Sequence, residues 1–499
     1  MLELKNRIST NLISGKEISI PSLLDDKNNI DDFLADSSEK VVVVQGLGFV
    51  GAVMSIVCAN ALNEDYKVLG VDLANKQNYW KIASLNEGVF PIIADDPKIE
   101  EFYQQSQKKK NFLATYDTYA YSRADFIIVD INLDVQKNSD SENELTGYGV
   151  DLTPFKKAIT SIGENCKEDV LVLIETTVPP GTSQNVVKPL IDAQLKARGL
   201  STEKWKLGHS YERVMPGPQY IDSIQNFYRV YSGINEKSAD ATEIFLKTII
   251  STAEYPLTRL GNTNATEMAK VLENSFRAMN IAFMVEWTRF AEKAGVNLYE
   301  VVKAIRMRPT HKNIMLPGIG VGGYCLTKDP LLASWANQEF FAGAGLQQSE
   351  KGVRINDKMP IYAFQYLSEN IAKLDTRKVL LLGVSYRQDV GDTRYTPVET
   401  FYRCLTEAGS KVLLHDPHVA YWEELNLNVA SDYSSLLKHK PDVIVISTGH
   451  SIYKTKEFQE KIMELSPILL YDTIGIFTEE QIIKFKSKHI VKVLGRGDI

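Results

Sequence analysis

The chain is expected to be an α/β protein: two doubly wound parallel-sheet regions joined by a central long-helix domain. Three observations predict this. From residue 40 to 261, β-branched runs alternate with longer amphipathic stretches, the pattern of strands buried on both faces and returned by helices. From 262 to 372 the texture turns helical, and Thr263–Ala294 runs without Pro or internal Gly. From 373 to 499 the strand–helix alternation resumes. At 499 residues the chain exceeds what one hydrophobic core serves, so several domains are required.

Residues 1–39 form an N-terminal extension. Asp25–Asp32 is polar and acidic, and the apolar clusters around it hold no sustained period, so a solvated arm or a docking segment is expected. The 40–261 region carries strands at Val41–Val44, Lys67–Val71, Phe126–Val129 and Val170–Ile174, with helices such as Pro97–Lys109 and Thr153–Ile162 between them. In the long helix, Met268, Val271, Leu272, Phe276, Met279 and Phe283 recur mostly at intervals of three and four. A helix of that length suits a spacer or an oligomer interface. The 373–499 region repeats the first texture at Val379–Leu382, Val412–Leu414, Val443–Ile446 and Ile468–Tyr471, with a helix near 397–408. One architecture is used twice, with different ligands.

Composition narrows the function. With 44% hydrophobic and 24% charged residues the chain is ordinary for a globular protein. A net charge of −7 without any Lys/Arg block argues against nucleic acid. The four cysteines, Cys58, Cys166, Cys325 and Cys404, lack CxxC spacing, which argues against a disulfide framework or a zinc site and fits a reducing cytoplasm. No metal is expected. The N-terminus has charges throughout and no apolar core of a signal peptide. Residues 41–62 are uncharged and long enough to raise a membrane span, yet Gln45 and three glycines interrupt them at a spacing with a better explanation.

That spacing is Gly46-Leu47-Gly48-Phe49-Val50-Gly51, a GxGxxG between a buried strand and an apolar helix. The first glycine allows a tight turn, the second lets backbone N–H groups approach a pyrophosphate, and the third allows close helix–strand packing. The helix N-terminus adds positive potential. Asp72 ends the next strand, 21 residues after Gly51, where its carboxylate would accept bonds from ribose hydroxyls and disfavour a 2′-phosphate. This is a Rossmann-like domain for NAD. Elsewhere, Gly318–Pro330 places four glycines in six residues directly before Cys325, Lys328 and Asp329, a backbone able to lie close to a ligand. Ile174–Thr182 (IETTVPPGT) follows a buried strand at the ligand-binding edge of the sheet. Tyr211–Gly217 (YERVMPG) sets a carboxylate before a Pro-Gly turn, and Lys270 and Asn274 stand one turn apart on the long helix.

Taken together and in order, GLGFVG, ETTVPPGT, YERVMPG, EMAKVLENSFRAMNIAF, GVGGYCLTKDP and YRQDVGDTR resemble the nucleotide-sugar 6-dehydrogenases, the UDP-glucose, UDP-N-acetylhexosamine and GDP-mannose dehydrogenases, over residues 40–499. The resemblance implies a Rossmann NAD domain (40–261), a central helical dimerisation domain (262–372) and a C-terminal α/β domain for the nucleotide sugar (373–499). It also implies oxidation of a sugar C6 alcohol to a carboxylate by two hydride transfers to NAD, through a thiohemiacetal and thioester on Cys325. Lys270 would then stabilise oxyanion charge and move protons, with Asn274 beside it. Glu212 would activate water for thioester hydrolysis, and Thr177 and Asp329 would hold a catalytic water. Gly46, Gly48, Phe49, Val50, Gly51, Asp72 and Thr177 would contact the cofactor. Glu212, Arg213, Lys270, Asn274, Gly322, Gly323, Tyr386, Arg387 and Arg394 would contact the nucleotide sugar.

Two stretches depart from the family pattern. Val129-Asp130-Ile131-Asn132-Leu133 stands where many members have V-P-T-P. Pro309–Leu316 and YERVMPG resemble the N-acetyl-aminosugar branch, whereas Leu326-Thr327-Lys328-Asp329 resembles the UDP-glucose form. Competing expectations are a single-oxidation hydroxyacid dehydrogenase of the 6-phosphogluconate type, which needs neither a Gly-embedded Cys nor a second α/β domain, and a non-catalytic NAD-binding scaffold, which would not retain this polar set.

Overall fold

The computed structural model describes residues 7–35, 37–92, 94, 96–140, 144–211, 213–214 and 217–499. They group into two compact units. Unit 1 takes Met1–Val135, Val150–Val271 and Trp335–Gly343; unit 2 takes Gln136–Gly149, Leu272–Ser334 and Ala344–Ile499.

Unit 1 begins with a hairpin, β1 (Ile8–Thr10) and β2 (Glu17–Ser19), and a helix, Lys27–Leu34. The extension docks: Ile30 and Leu34 are buried in the same core as Val41, Val43 and Tyr121. The main sheet contains β3 (Lys40–Gln45), β4 (Tyr66–Val71), β5 (Phe112–Thr115), β6 (Phe126–Val129), β9 (Leu171–Ile174), β10 (Lys206–His209), β11 (Val230–Gly233) and β12 (Thr258–Arg259). Its order is β12-β11-β10-β9-β6-β3-β4-β5. The six strands from β5 to β10 are parallel and run 3-2-1-4-5-6 in order of appearance, the doubly wound Rossmann order. β11 returns antiparallel to β10.

The β-branched run in β3 has a direct packing cause. Val42 and Val44 face one core, Val41 and Val43 the other, so both faces exclude polar residues. The uncharged stretch after it is the Phe49–Ala59 helix, whose residues from Gly51 onward are all buried. Among the described residues no helix is long and apolar enough to cross a membrane.

Unit 2 holds a polar hairpin, β7 (Val135–Ser139) with β8 (Leu145–Val150), of which residues 136–149 group here. Lys137 pairs with Asp357 at 2.9 Å, and the Tyr148 hydroxyl reaches Ser334 at 2.8 Å and Glu350 at 2.5 Å. The C-terminal sheet has β13 (Lys378–Leu382), β14 (Lys411–His415), β17 (Val443–Ile446), β18 (Leu469–Asp472) and β19 (Ile490–Val493), with a short pair β15 (Tyr421–Trp422) and β16 (Leu427–Asn428) beside it. All five main strands are parallel in the order β14-β13-β17-β18-β19, which is 2-1-3-4-5, the second common doubly wound order. The chain is therefore α/β, with two Rossmann-like sheets and a helical stretch between them in sequence.

That stretch contains the helices Thr263–Ala294, Leu298–Ile305, Tyr324–Glu339 and Gln347–Asn370. The first leaves a row of large apolar side chains exposed: Leu272, Phe276, Phe283, Trp287 and Phe290. Phe283 and Trp287, with Leu298, Val301 and Ile305, line an apolar cavity of about 500 Å³.

Candidate active site

At the C-terminal end of β3 the three glycines of GxGxxG meet three different demands. Gly46 has φ +98°, and a Cβ there would stand 2.5 Å from the Asp130 carbonyl oxygen, so only glycine makes this turn. A Cβ on Gly51 would fall on the Gly46 carbonyl, so this glycine lets the helix close onto the strand. Gly48 has nothing within 4 Å of its Cβ position. That open space beside a helix N-terminus suits a pyrophosphate. Phe49 is exposed beside it and Val50 is half-buried.

Asp72, nearly buried, accepts the N–H groups of Leu47 (2.9 Å) and Leu73 (2.7 Å), with the Lys81 ammonium at 3.9 Å. Burial raises its carboxyl above the usual range, and Lys81 and the two N–H groups work against that. The carboxylate retains acceptor capacity for ribose hydroxyls. The residues present therefore fit a dinucleotide.

The edge after β9 is built from buried polar contacts. Thr177 is buried on the turn after this strand, and the Thr176 hydroxyl donates to the Ile131 carbonyl at 2.7 Å. Before them Glu175 pairs with Arg229 at 2.8 Å, both buried. Glu267, on the first turns of the long helix, is fully buried and accepts the N–H groups of Gly181 (2.6 Å) and Ser183 (2.8 Å), which fixes the Pro-Pro-Gly turn. Burial pushes its carboxyl up from 4.5 to about 7, against those N–H groups. Three residues on, Lys270 is buried with its ammonium 5.5 Å from the Tyr211 ring centre. His209 is buried nearby. Burial first, and Lys270 second, lower its imidazole to about 3, so it is neutral at ordinary pH. Arg213 lies over the Tyr211 and Phe227 rings. Glu212 falls outside the described residues.

In unit 2, Cys325 is the second residue of the Tyr324–Glu339 helix and is exposed. The loop before it is seated on the chain after β13. Gly323 has φ +82°, and a Cβ there would stand 2.7 Å from the Tyr386 ring; at Gly322 it would stand 2.6 Å from the Tyr386 Cβ. The Gly323 N–H donates to the Arg394 carbonyl at 3.2 Å. At both positions a side chain is excluded by Tyr386 and its neighbours. The reason is close backbone packing, the other demand that selects glycine.

The same seating brings Tyr386 and Arg394 within electrostatic reach of Cys325. Arg394 grips Asp392 through Nε (2.9 Å) and Nη2 (2.6 Å) and lies over the Tyr324 ring. Arg387 is exposed and makes no ion pair among the described residues. Behind the thiol, Asp329 is fully buried, accepting from Asn274 Nδ2 at 2.6 Å and from Lys328 Nζ at 3.0 Å. This bond locks Asn274 of the long helix to the first turns of the Cys325 helix.

The expected residues thus fall into two sets. Gly46, Gly48, Gly51, Asp72, Thr177, Arg213 and Lys270 belong to unit 1; Asn274, Gly322, Gly323, Cys325, Asp329, Tyr386, Arg387 and Arg394 belong to unit 2. Sequence reading missed Glu267 and Arg229, whose partners lie far along the chain. It also missed Asp416, for which a signal existed. Asp416 follows β14 as Asp72 follows β4, and it accepts the N–H of Val384 (2.8 Å) just as Asp72 accepts that of Leu47. Asp416 also takes the N–H groups of Ser385 (3.1 Å) and His418 (2.9 Å) and His450 Nε2 (3.0 Å). Protein donors saturate it, so the second domain repeats the turn without its ribose site. Asp389, His418 and His450 lie close enough to suggest a cation site, but His450 Nδ1 already accepts the Asp389 N–H at 2.9 Å.

Comparison with known proteins agrees with both units. Residues 40–249, 264–358 and 380–479 match, in turn, the NAD binding, central and UDP binding domains of the UDP-glucose/GDP-mannose dehydrogenase family. The chain is 29% identical over 465 residues to the UDP-N-acetyl-D-mannosamine dehydrogenase of Pyrococcus horikoshii, covering 92% of this chain and 100% of that one. It is 32% identical over 352 residues to the protein of the same name from Methanocaldococcus jannaschii, covering 70% of this chain and 75% of that one. Among solved structures, the NDP-N-acetyl-D-galactosaminuronic acid dehydrogenase of Methanosarcina mazei Go1 superposes with a TM-score of 0.75 at 25% identity, covering 94% of this chain and 98% of that one. With a cofactor domain whose glycines and Asp72 fit a dinucleotide, and with all three family domains in order, the chain belongs to the UDP-glucose/GDP-mannose dehydrogenase family of NAD-dependent nucleotide-sugar dehydrogenases.

Proposed function

We propose that the protein oxidises the C6 alcohol of a UDP-N-acetylhexosamine to the uronic acid through a covalent intermediate on Cys325, supplying a precursor for surface polysaccharide. UDP-N-acetyl-D-mannosamine is the first candidate, since relatives along most of the chain carry that name. The observation that carries the chemistry is an exposed thiol on the first turn of a helix, with Arg394 nearby and, behind it, the buried Asp329 and Lys328 joined to half-buried Asn274. A helix N-terminus and a nearby cation both favour negative charge on sulfur.

When bound, NAD supplies the hydride acceptor for each of the two oxidations. Lys270, drawn from solvent, stabilises oxyanion charge and carries the alcohol proton away. The Cys325 thiolate adds to the aldehyde carbon to form a thiohemiacetal, whose oxidation leaves a thioester. Water held by Thr177 and Asp329 and activated by Glu212 cleaves the thioester, releasing the carboxylate and restoring the thiolate. Asn274 orients the reacting oxygen. Arg387, Arg394 and Arg213 answer the diphosphate and the sugar. In this account Asp329 also fixes Asn274, and Gly322 and Gly323 act by letting Tyr386 close on the loop.

The exposed apolar row on the long helix suits a second copy of this chain, so the active form is a homodimer. None of the four cysteines forms a disulfide, which is compatible with a reducing cytoplasm. The test is NADH release with UDP-glucose, UDP-GlcNAc, UDP-GalNAc, UDP-ManNAc and GDP-mannose. Turnover of an N-acetylhexosamine with two NADH per sugar is expected. Preference for UDP-glucose or GDP-mannose would refute the substrate, and one NADH per sugar would favour a single-oxidation dehydrogenase.

A further inference from the structure

The match to the family's cofactor domain begins at residue 40, yet the described residues before it are tied to the cofactor unit by buried and part-buried polar contacts on the segments that follow Asp72 and β5. Ser9 on β1 is fully buried. Its hydroxyl donates to the Lys76 carbonyl (2.8 Å) and accepts the Trp80 N–H (3.0 Å). Both groups lie within the segment leading from Asp72 to Lys81, whose ammonium faces the Asp72 carboxylate. Asn11 adds a bond to the buried Ser84 hydroxyl at 3.0 Å, on the helix Tyr79–Asn86 that carries Lys81.

A second anchor approaches from the neighbouring strand. Asp26 accepts the Thr115 hydroxyl at 2.6 Å, and its own N–H donates to Asp117 at 2.8 Å. Thr115, at the end of β5, accepts the Asp72 N–H on its carbonyl at 3.2 Å. The arm thus holds the two chain segments that leave β4 and β5, at the ligand-binding edge of the sheet. Ile30 and Leu34, buried in the core, would suffice to dock it. The polar anchors go further, since they fix the segment after the second strand, which in this fold borders the adenosine ribose. An untethered loop there would have to be ordered when the cofactor binds, at a cost to affinity.

We propose that the N-terminal arm is a brace of the cofactor site: through Ser9 and Asp26 it holds the Leu73–Trp80 segment and Thr115, and thereby presents Asp72 and Lys81 to the adenosine ribose and sets the affinity for NAD. Ser9, Asp26 and Thr115 are positioning residues, acting through Asp72. The inference depends on the cofactor domain alone and not on which sugar is oxidised.

The test is a fluorescence titration of NADH onto Ser9→Ala and Thr115→Val, without sugar, beside calorimetry of UDP on the same proteins. Ser9→Ala removes the two hydrogen bonds to Lys76 and Trp80, and Thr115→Val removes those to Asp26 and the Asp117 N–H; either loss should weaken NADH about three- to tenfold, with UDP affinity unchanged and kcat at saturating NAD close to that of the parent. Unchanged NADH affinity in folded Ser9→Ala, with only a lowered Tm, would reduce the arm to a stability element and overturn the proposal. Equal weakening of NADH and UDP would overturn it too, as general loosening. Should Ser9→Ala fail to fold, Thr115→Val decides by the same criterion, because its hydroxyl lies on the other anchor.

Discussion

Glu267→Gln should remove a pH dependence of stability from unit 1. Glu267 is fully buried and its carboxyl is raised from 4.5 to about 7. The folded state therefore keeps a proton that the unfolded chain releases between these values. That contribution to stability is fully present below about pH 4.5 and lost as pH rises through 7. At about 1.4 kcal/mol for each pKa unit, the loss comes to about 3 kcal/mol. The glutamine keeps an acceptor for the Gly181 or Ser183 N–H but cannot ionise. The assay is thermal unfolding of both proteins from pH 5 to pH 8, read as the difference in Tm, so that all other titrating groups cancel. For a unit of this size, about 3 kcal/mol corresponds to a change of roughly 5–10 °C in that difference, moving in favour of the variant as pH rises. A difference that stays flat across the range would refute the reasoning.

Asn274→Ala should lower kcat by about a hundredfold, as loss of a preorganised donor does, while a Tm measurement reports the separate cost to buried Asp329. An activity loss below about threefold would remove Asn274 from the reacting set. Phe276→Glu with Phe290→Glu changes two residues that are 67% and 62% exposed, so little stability should be lost. Light scattering should show the parent as a dimer and the double variant as a monomer; a dimeric variant would move the interface elsewhere.

Much of the fold was legible because its cause is local. A strand buried on both faces must be continuously apolar, and Val41–Val44 divides its side chains between two cores. GLGFVG was legible because each glycine meets its own backbone demand. The hairpin over 135–150 was not legible, since its strands are polar and its place follows from distant partners such as Asp357 and Glu350. The docking of the arm rests on two apolar side chains and the scattered polar groups of Ser9, Asn11 and Asp26, too few for a period. Glu267 has no signal in the sequence, because only folding brings Gly181 and Ser183 to it. Gly322 and Gly323 signalled a close approach correctly, but not that the approaching group is Tyr386, more than sixty residues away.

The central claim is that acid formation runs through sulfur at residue 325. It is tested most directly by product analysis of Cys325→Ser with NAD and UDP-N-acetyl-D-mannosamine, beside binding titrations of both ligands. The expected result is no uronate, with NAD and nucleotide-sugar affinities within about threefold of the parent, since the change removes a nucleophile and leaves the binding groups in place. Undiminished uronate from the serine variant would contradict the covalent route.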